Sequence, residues 1–173
     1  MSAVLKPAFP SSQFRIETFD APLGAQVLGL DLSQPLSLGD FQRLHHAHLD
    51  HHVLVFRDQR ITPQQQVDFS RRFGPLQIHV LRQFQLPTQP EVLIISNIVE
   101  DGQPIGLGDA GHFWHSDLSY KEVPSLGSML HAQELPDEGG DTVFANMHLA
   151  WESLPAAPRR ARRPRRTQLF EPV

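Results

Sequence analysis

The chain has 173 residues, 40% of them hydrophobic and 20% charged, which is enough apolar sequence to bury one sizeable core. It contains no cysteine, which excludes disulfides, thiolate zinc sites, iron–sulfur clusters and a cysteine nucleophile. It has no apolar run of about 18 residues or more and no basic segment leading into an apolar one at the N-terminus. We therefore expect no membrane span, no secretory signal and a cytoplasmic location.

The net charge of -4 is distributed unevenly. Residues 1–158 contain nine Lys and Arg against 18 Asp and Glu, and this acidic balance argues against a nucleic-acid surface. The remaining six basic residues are arginines at positions 159, 160, 162, 163, 165 and 166. We expect the Pro/Arg-rich tail, residues 156–173, to be disordered or the product of a frameshift, and residues 1–155 to form one domain.

The first elements along the chain are predicted to be two strands, a helix and a third strand. Apolar and β-branched residues at 14–17 and 25–30 flank the turn-forming Pro22-Leu23-Gly24. Residues 37–50 have the apolar spacing of a helix that begins after a serine cap, and residues 53–56 follow as a buried strand.

A second helix is predicted to begin at Thr62-Pro63, which supplies an N-cap followed by proline at the first helical position. Val67, Phe69 and Phe73 follow at roughly helical spacing, and Gly74-Pro75 ends the element.

From about residue 90 the sequence is typical of β structure, with short apolar segments separated by turn residues. The predicted strands are residues 92–98, 113–120, 127–132 and 142–145. The fold class expected is mainly β with flanking helices (α+β), and a jelly roll is favoured over a βαβ sheet.

His115 and Asp117 are the candidate metal ligands, in the segment Phe113-Trp114-His115-Ser116-Asp117. On a strand, residues i and i+2 point to the same face, so an imidazole and a carboxylate meet one ion. This pair suits Fe(II) in a site completed by a second histidine. Phe113 and Trp114 are expected in the core or the pocket wall.

The other histidines are not expected to bind metal. Those of the helical stretch and its exit point in different directions, and structural histidines are common. This group comprises His45, His46, His48, His51 and His52 on and after the helix, with His112, His131 and His148 elsewhere.

The sequence resembles the taurine dioxygenase and 2,4-dichlorophenoxyacetate dioxygenase family over about residues 15–155. The resemblance rests on the His115 segment, on Gly139-Gly140-Asp141-Thr142, on Ala150-Trp151 and on upstream matches such as Val55-Phe56-Arg57-Asp58-Gln59 and Arg72-Phe73-Gly74-Pro75-Leu76. It implies an Fe(II)- and 2-oxoglutarate-dependent dioxygenase with a double-stranded β-helix, in which 2-oxoglutarate is decarboxylated to succinate while O2 is used to hydroxylate the substrate.

The resemblance also implies roles for four residues. His115 and Asp117 would be the first two iron ligands, Thr142 would contact the 2-oxoglutarate carboxylate, and His79 would bind the anionic group of the substrate. Because Gly111 stands where the taurine enzyme has an asparagine, taurine itself is not the expected substrate. A small organic acid, such as a sulfonate or a phenoxyalkanoate, is expected.

Two family features have no counterpart in this sequence: a distal histidine that completes the iron site, and an arginine that pairs with 2-oxoglutarate. The last histidine is His148, and the family-like sequence gives way to the tail at about Pro155. We therefore expect a jelly roll that is incomplete at its C-terminus, a truncated and inactive chain, and possible homo-oligomers. The alternatives are a non-catalytic remnant or binding protein, and a cupin-like metal enzyme that does not use 2-oxoglutarate.

Overall fold

The computed structural model describes residues 13–155, so the tail predicted at 156–173 lies outside the described residues. The first elements are β1 (Arg15–Thr18), β2 (Ala25–Leu28), α1 (Leu38–His51), β3 (Leu54–Phe56) and α2 (Pro63–Ser70). Single 3₁₀ turns follow at Arg71–Phe73 and Arg82–Phe84. Four short strands and a helix come next: β4 (Gln85–Leu86), β5 (Gln89–Leu93), β6 (Val99–Glu100), β7 (Gln103–Pro104) and α3 (Met147–Glu152).

The first three strands form one sheet with β2 in the centre. Strands β1 and β2 are antiparallel, with Ile16 opposite Val27, whereas β2 and β3 are parallel, with Gln26 opposite Val55. The chain crosses from β2 to β3 through α1, because parallel neighbours need a long connection. The sequence prediction placed the first four elements to within about two residues of their ends, but α2 ends at Ser70 and a 3₁₀ turn covers the rest of the predicted helix. The prediction did not anticipate this β–α–β crossover.

Side-chain caps determine where the two long helices begin. Ser37 Oγ accepts a hydrogen bond from the Asp40 backbone N–H (3.1 Å) at the start of α1. At the start of α2, Thr62 and Gln65 form a reciprocal capping box, and Pro63 occupies the first turn, where its missing N–H costs nothing. Both starts were predicted, and both are confirmed.

The hydrophobic core lies between the three-stranded sheet and the two helices. Its centre is Leu44 of α1, which is fully buried, and Phe69 of α2 packs in the same cluster. The other buried members are Phe14, Val27, Leu30, Leu32 and Ile61. Met129 packs against this cluster from the later part of the chain.

The predicted strands after residue 90 are mostly wrong. The prediction at 92–98 overlaps β5 only as far as Leu93, beyond which Ile95 forms one isolated bridge with Leu107. Residues 113–120, 127–132 and 142–145 form no strand. A strand requires a paired neighbour, and the backbone of the 113–120 segment instead makes local turn bonds, such as Lys121 N–H to Leu118 O (3.0 Å).

Phe113 and Trp114, which were expected in the core or the pocket wall, do not lie in the core of the described residues. Phe113 is 86% and Trp114 is 73% exposed. The sequence placed both on a strand with one buried face, and the turn that forms instead turns neither side chain toward the core.

Within the described part of the chain, no helix is both long and apolar enough to cross a bilayer.

Candidate metal and substrate site

The side chains of His115 and Asp117 meet, as predicted, although the backbone that carries them is a turn and not a strand. The His115 Nε2 atom lies 3.4 Å from Asp117 Oδ1, and both side chains are about half exposed, at 56% and 50%. The next residue, Leu118, has a φ of 52°, which lies in the left-handed region that bulky residues rarely adopt. The chain therefore reverses immediately after Asp117.

The orientation of the His115 ring is fixed by a backbone carbonyl. His115 Nδ1 lies 2.6 Å from Phe113 O. A carbonyl oxygen can only accept, so Nδ1 carries the proton, and the lone pair of the neutral ring is on Nε2. A hydrogen bond from the distal ring nitrogen to a carbonyl is the usual partner of a metal-binding histidine.

The second oxygen of Asp117 is held by Ser128, whose Oγ–H donates to Asp117 Oδ2. Ser128 is next to Met129, and Met129 is fixed to α2 at two points. Gln66 Nε2 donates to Met129 O (3.2 Å), and Ser70 Oγ lies 3.2 Å from Met129 Sδ. A continuous set of contacts thus connects Asp117 to the hydrophobic core.

The two atoms left free to bind a metal, His115 Nε2 and Asp117 Oδ1, have a spacing that suits a first-row metal ion. Nitrogen and oxygen ligands lie about 2.0–2.2 Å from such an ion, so adjacent ligands are separated by about 3 Å. The 3.4 Å between His115 Nε2 and Asp117 Oδ1 is close to that separation. Among residues 13–155, however, no group of three His, Asp or Glu side chains is placed to hold an ion. The described residues supply two ligands.

His79 lies on a loop, and a backbone hydrogen bond determines the tautomer of its imidazole ring. The Leu81 backbone N–H donates to His79 Nδ1 (3.2 Å), so the proton of the neutral ring is on Nε2, which can donate to an anion. Gln85 Nε2 also donates to the His79 carbonyl oxygen (2.7 Å). This loop contacts the ligand segment through Lys121 Nζ, which donates to Gln77 Oε1 (2.7 Å).

Thr142 is exposed, and no hydrogen bond joins it to His115 or Asp117 within the part of the chain that the structure describes. It follows Gly139 and Gly140, which have φ values of 75° and 72°, in the left-handed region that favours glycine.

The helical histidines do not form a metal cluster in the described range. Burial, with the neighbouring His45 and His52, lowers the pKa of His48 below its usual value. The His52 ring stacks on His148 of α3 at a centroid distance of 5.0 Å.

Comparison with known proteins decides the family. The family model "Taurine catabolism dioxygenase TauD, TfdA family" matches residues 15–171. The chain belongs to this family. The (S)-phenoxypropionate/alpha-ketoglutarate-dioxygenase of Sphingobium herbicidovorans is 35% identical over 155 residues, which cover 83% of this chain and 49% of that protein.

Two solved structures of similar chains agree. A taurine dioxygenase from Burkholderia xenovorans superposes with a TM-score of 0.72 at 30% identity, covering 88% of this chain and 51% of that one. AAD-2 in complex with Mn(II) and N-oxalylglycine superposes with a TM-score of 0.64 at 28% identity, covering 86% and 48%. This member of the dioxygenase family spans about half the length of the relatives that it matches, and the resemblance stated from the sequence is confirmed.

Two contacts at the candidate site were not predicted from the sequence. Ser128 lies 11 residues after Asp117, and Gln77 lies 44 residues before Lys121, so neither pair has a local signal. Only the presence of a basic residue soon after the ligand segment, in an otherwise acidic region, would have drawn attention to Lys121.

Proposed function

We propose that this chain provides the Fe(II)-binding pair and part of the 2-oxoglutarate and substrate site of a dioxygenase that hydroxylates a small anionic organic acid. The observation that carries the proposal is the convergence of His115 Nε2 and Asp117 Oδ1 to 3.4 Å, in a chain that belongs to a dioxygenase family. Each residue also uses its second polar atom on a partner that orients it.

In this proposal, the residues of the chain bind and orient the reactants. His115 presents Nε2 because the Phe113 carbonyl holds the proton on Nδ1, and Asp117 presents Oδ1 because Ser128 occupies Oδ2. An Fe(II) ion held by this pair would supply the oxidising chemistry, in which O2 and 2-oxoglutarate give one oxygen atom to a substrate C–H bond while 2-oxoglutarate becomes succinate and CO2. Thr142 is proposed to contact the 2-oxoglutarate carboxylate when that co-substrate is present.

His79 is proposed to bind the acid group of the substrate through its Nε2–H. The tautomer that its hydrogen bond with Leu81 favours is the one with a donor on Nε2. The relatives support an acid as the substrate class, because their names include a phenoxypropionate dioxygenase and a taurine dioxygenase. The double-stranded β-helix is the architecture proposed for the domain to which residues 1–155 belong.

Metal titration tests the ligand assignment. We expect wild-type chain to bind Co(II), a spectroscopic substitute for Fe(II), in a saturable way that changes its visible absorption. Replacement of either ligand, His115→Ala or Asp117→Ala, is expected to weaken this binding by about tenfold or more, the range found when a ligand or its immediate support is lost. His112→Ala is the matched control and should bind Co(II) normally. Equal binding by all four proteins would refute the assignment.

Succinate formation tests the activity of this chain alone. With only two protein ligands among the described residues, we propose weak Fe(II) binding and little turnover. Purified chain with Fe(II), 2-oxoglutarate, O2 and ascorbate is expected to form no more succinate than its His115→Ala variant. Succinate well above that control would overturn the proposed inactivity, while supporting the proposed chemistry.

A further inference from the structure

Lys121 is the only lysine or arginine between Arg82 and Arg159 in the sequence. The same stretch contains eleven Asp and Glu residues, so a cation here is unusual in its surroundings. Lys121 is also exposed, and no carboxylate within ion-pair distance neutralises it in the described part of the chain. Its ammonium group is available to an anion from solution.

The turn after the metal-binding pair places Lys121 beside the candidate site. The Lys121 backbone N–H donates to Leu118 O (3.0 Å), which closes a four-residue turn. In such a turn the first and last Cα atoms lie within about 7 Å. Because Leu118 directly follows Asp117, the backbone of Lys121 is held close to the backbone of the proposed ligand.

A hydrogen bond ties the Lys121 side chain to the segment that carries His79. Lys121 Nζ donates to Gln77 Oε1 at 2.7 Å, and Gln77 is two residues before His79. An ammonium group has three N–H donors, and this bond uses one of them. The other two remain for an anion, and the Nε2–H of His79, two residues from Gln77, is a further donor on the same loop.

We propose that Lys121 binds the acid group of the substrate together with His79, and that Gln77 orients it for this role. The inference rests on the proposed function, since it assigns a specificity residue to the same site. A carboxylate and a sulfonate are both acceptor-only anions that such donors recognise, so both belong to the substrate class.

The lysine content of the chain gives a direct measurement. Lys6 and Lys121 are the only lysines, so reductive methylation with ¹³C leaves two lysine signals beside that of the N-terminal amine. Dimethylation keeps the positive charge and leaves one N–H donor on the nitrogen, so the methylated side chain still attracts an acid anion through its charge. The signal that disappears in Lys121→Arg belongs to Lys121. It is expected to shift in a saturable way with phenoxyacetate and with hexanesulfonate, and to stay in place with phenoxyethanol, which has no acid group.

Calorimetric titration of the unmethylated chain with phenoxyacetate distinguishes two roles of Lys121. In one its charge binds the acid group, and in the other it only links its turn to the Gln77 loop. Lys121→Met, which keeps the aliphatic stem, is expected to weaken binding about fivefold at low salt, the upper range for an exposed ion pair, and Lys121→Arg much less. Gln77→Leu removes the orienting bond but keeps the charge, so a smaller loss is expected. The difference between wild type and Lys121→Met should shrink as salt is added.

Two results would overturn the inference. One is the absence of a saturable shift of the Lys121 signal with either acid. The other is an equal loss of phenoxyacetate binding in Gln77→Leu and Lys121→Met, which would make Lys121 a structural link only. Neither result depends on metal, so the Co(II) titration of His115→Ala judges the proposed function separately.

Discussion

The hydroxyl of Ser128 is expected to control how tightly Asp117 binds a metal ion. Ser128→Ala removes the donor to Asp117 Oδ2 and leaves the carboxylate free to rotate. Loss of an outer partner of a ligand costs about 10–100-fold in metal affinity. The Asp117 side chain is 50% exposed, so water replaces part of the lost bond, and we expect the lower end of the range. Tenfold corresponds to about 1.4 kcal/mol.

Isothermal titration of Co(II) into wild type, Ser128→Ala and Ser119→Ala measures this effect. Ser119 is exposed on the same turn, and its side chain makes no hydrogen bond within residues 13–155, so its replacement is the matched control. Thermal unfolding of each variant shows whether the fold is intact. Ser128 does not control metal binding if Ser128→Ala binds Co(II) as tightly as wild type, or if Ser119→Ala loses as much Co(II) affinity as Ser128→Ala.

Three further predictions concern the fold. Gln59→Ala removes three 2.8 Å hydrogen bonds to the backbone and should lower the free energy of unfolding, measured in urea, by about 2–3 kcal/mol. The exposed control Gln34→Ala should lower it by under about 0.5 kcal/mol, and similar losses in the two variants would contradict the prediction. Gly106→Ala would place a Cβ 2.8 Å from a backbone oxygen and should lower the free energy of unfolding by about 1–3 kcal/mol. In Gly108→Ala the nearest atom to the new Cβ is 3.5 Å away, so thermal unfolding should show a smaller loss of stability. Burial lowers the pKa of His48, so its stabilising contribution is present above about pH 6.5 and is lost as the pH falls through the lowered value. His48→Gln should therefore flatten the fall in Tm on acidification, and an unchanged pH profile would argue against this.

The sequence predicted the first part of the fold well because its signals there are local. The Ser37 and Thr62 caps determine where α1 and α2 begin through bonds to residues three positions away. The apolar pattern of β1 and β2 was equally informative, because these two strands pair with each other across a short turn.

The strand prediction at 113–120 failed because alternation alone does not produce a strand. Strand formation depends on a neighbouring backbone that accepts and donates hydrogen bonds, and this segment satisfies its own groups in a turn. The pairing of His115 with Asp117 was nonetheless predicted correctly, since residues two positions apart also meet across a sharp turn.

The parts of the site that depend on distant residues were beyond sequence reasoning. Ser128 reaches Asp117 only because Met129 packs on α2, and that packing is a property of the folded chain. The roles of His79 and Thr142, the cytoplasmic location and the oligomeric state stay predictions.

The link from Met129 to α2 makes metal binding and folding thermodynamically coupled. Ser128 and Met129 are adjacent, so an opening fluctuation that releases Met129 from Gln66 and Ser70 also frees the Asp117 carboxylate. An ion that binds only the closed form opposes this opening by mass action. Helix α2 would then exchange its amide protons more slowly when the ligand pair is occupied, although it lies far from His115 and Asp117 in sequence and supplies neither proposed ligand.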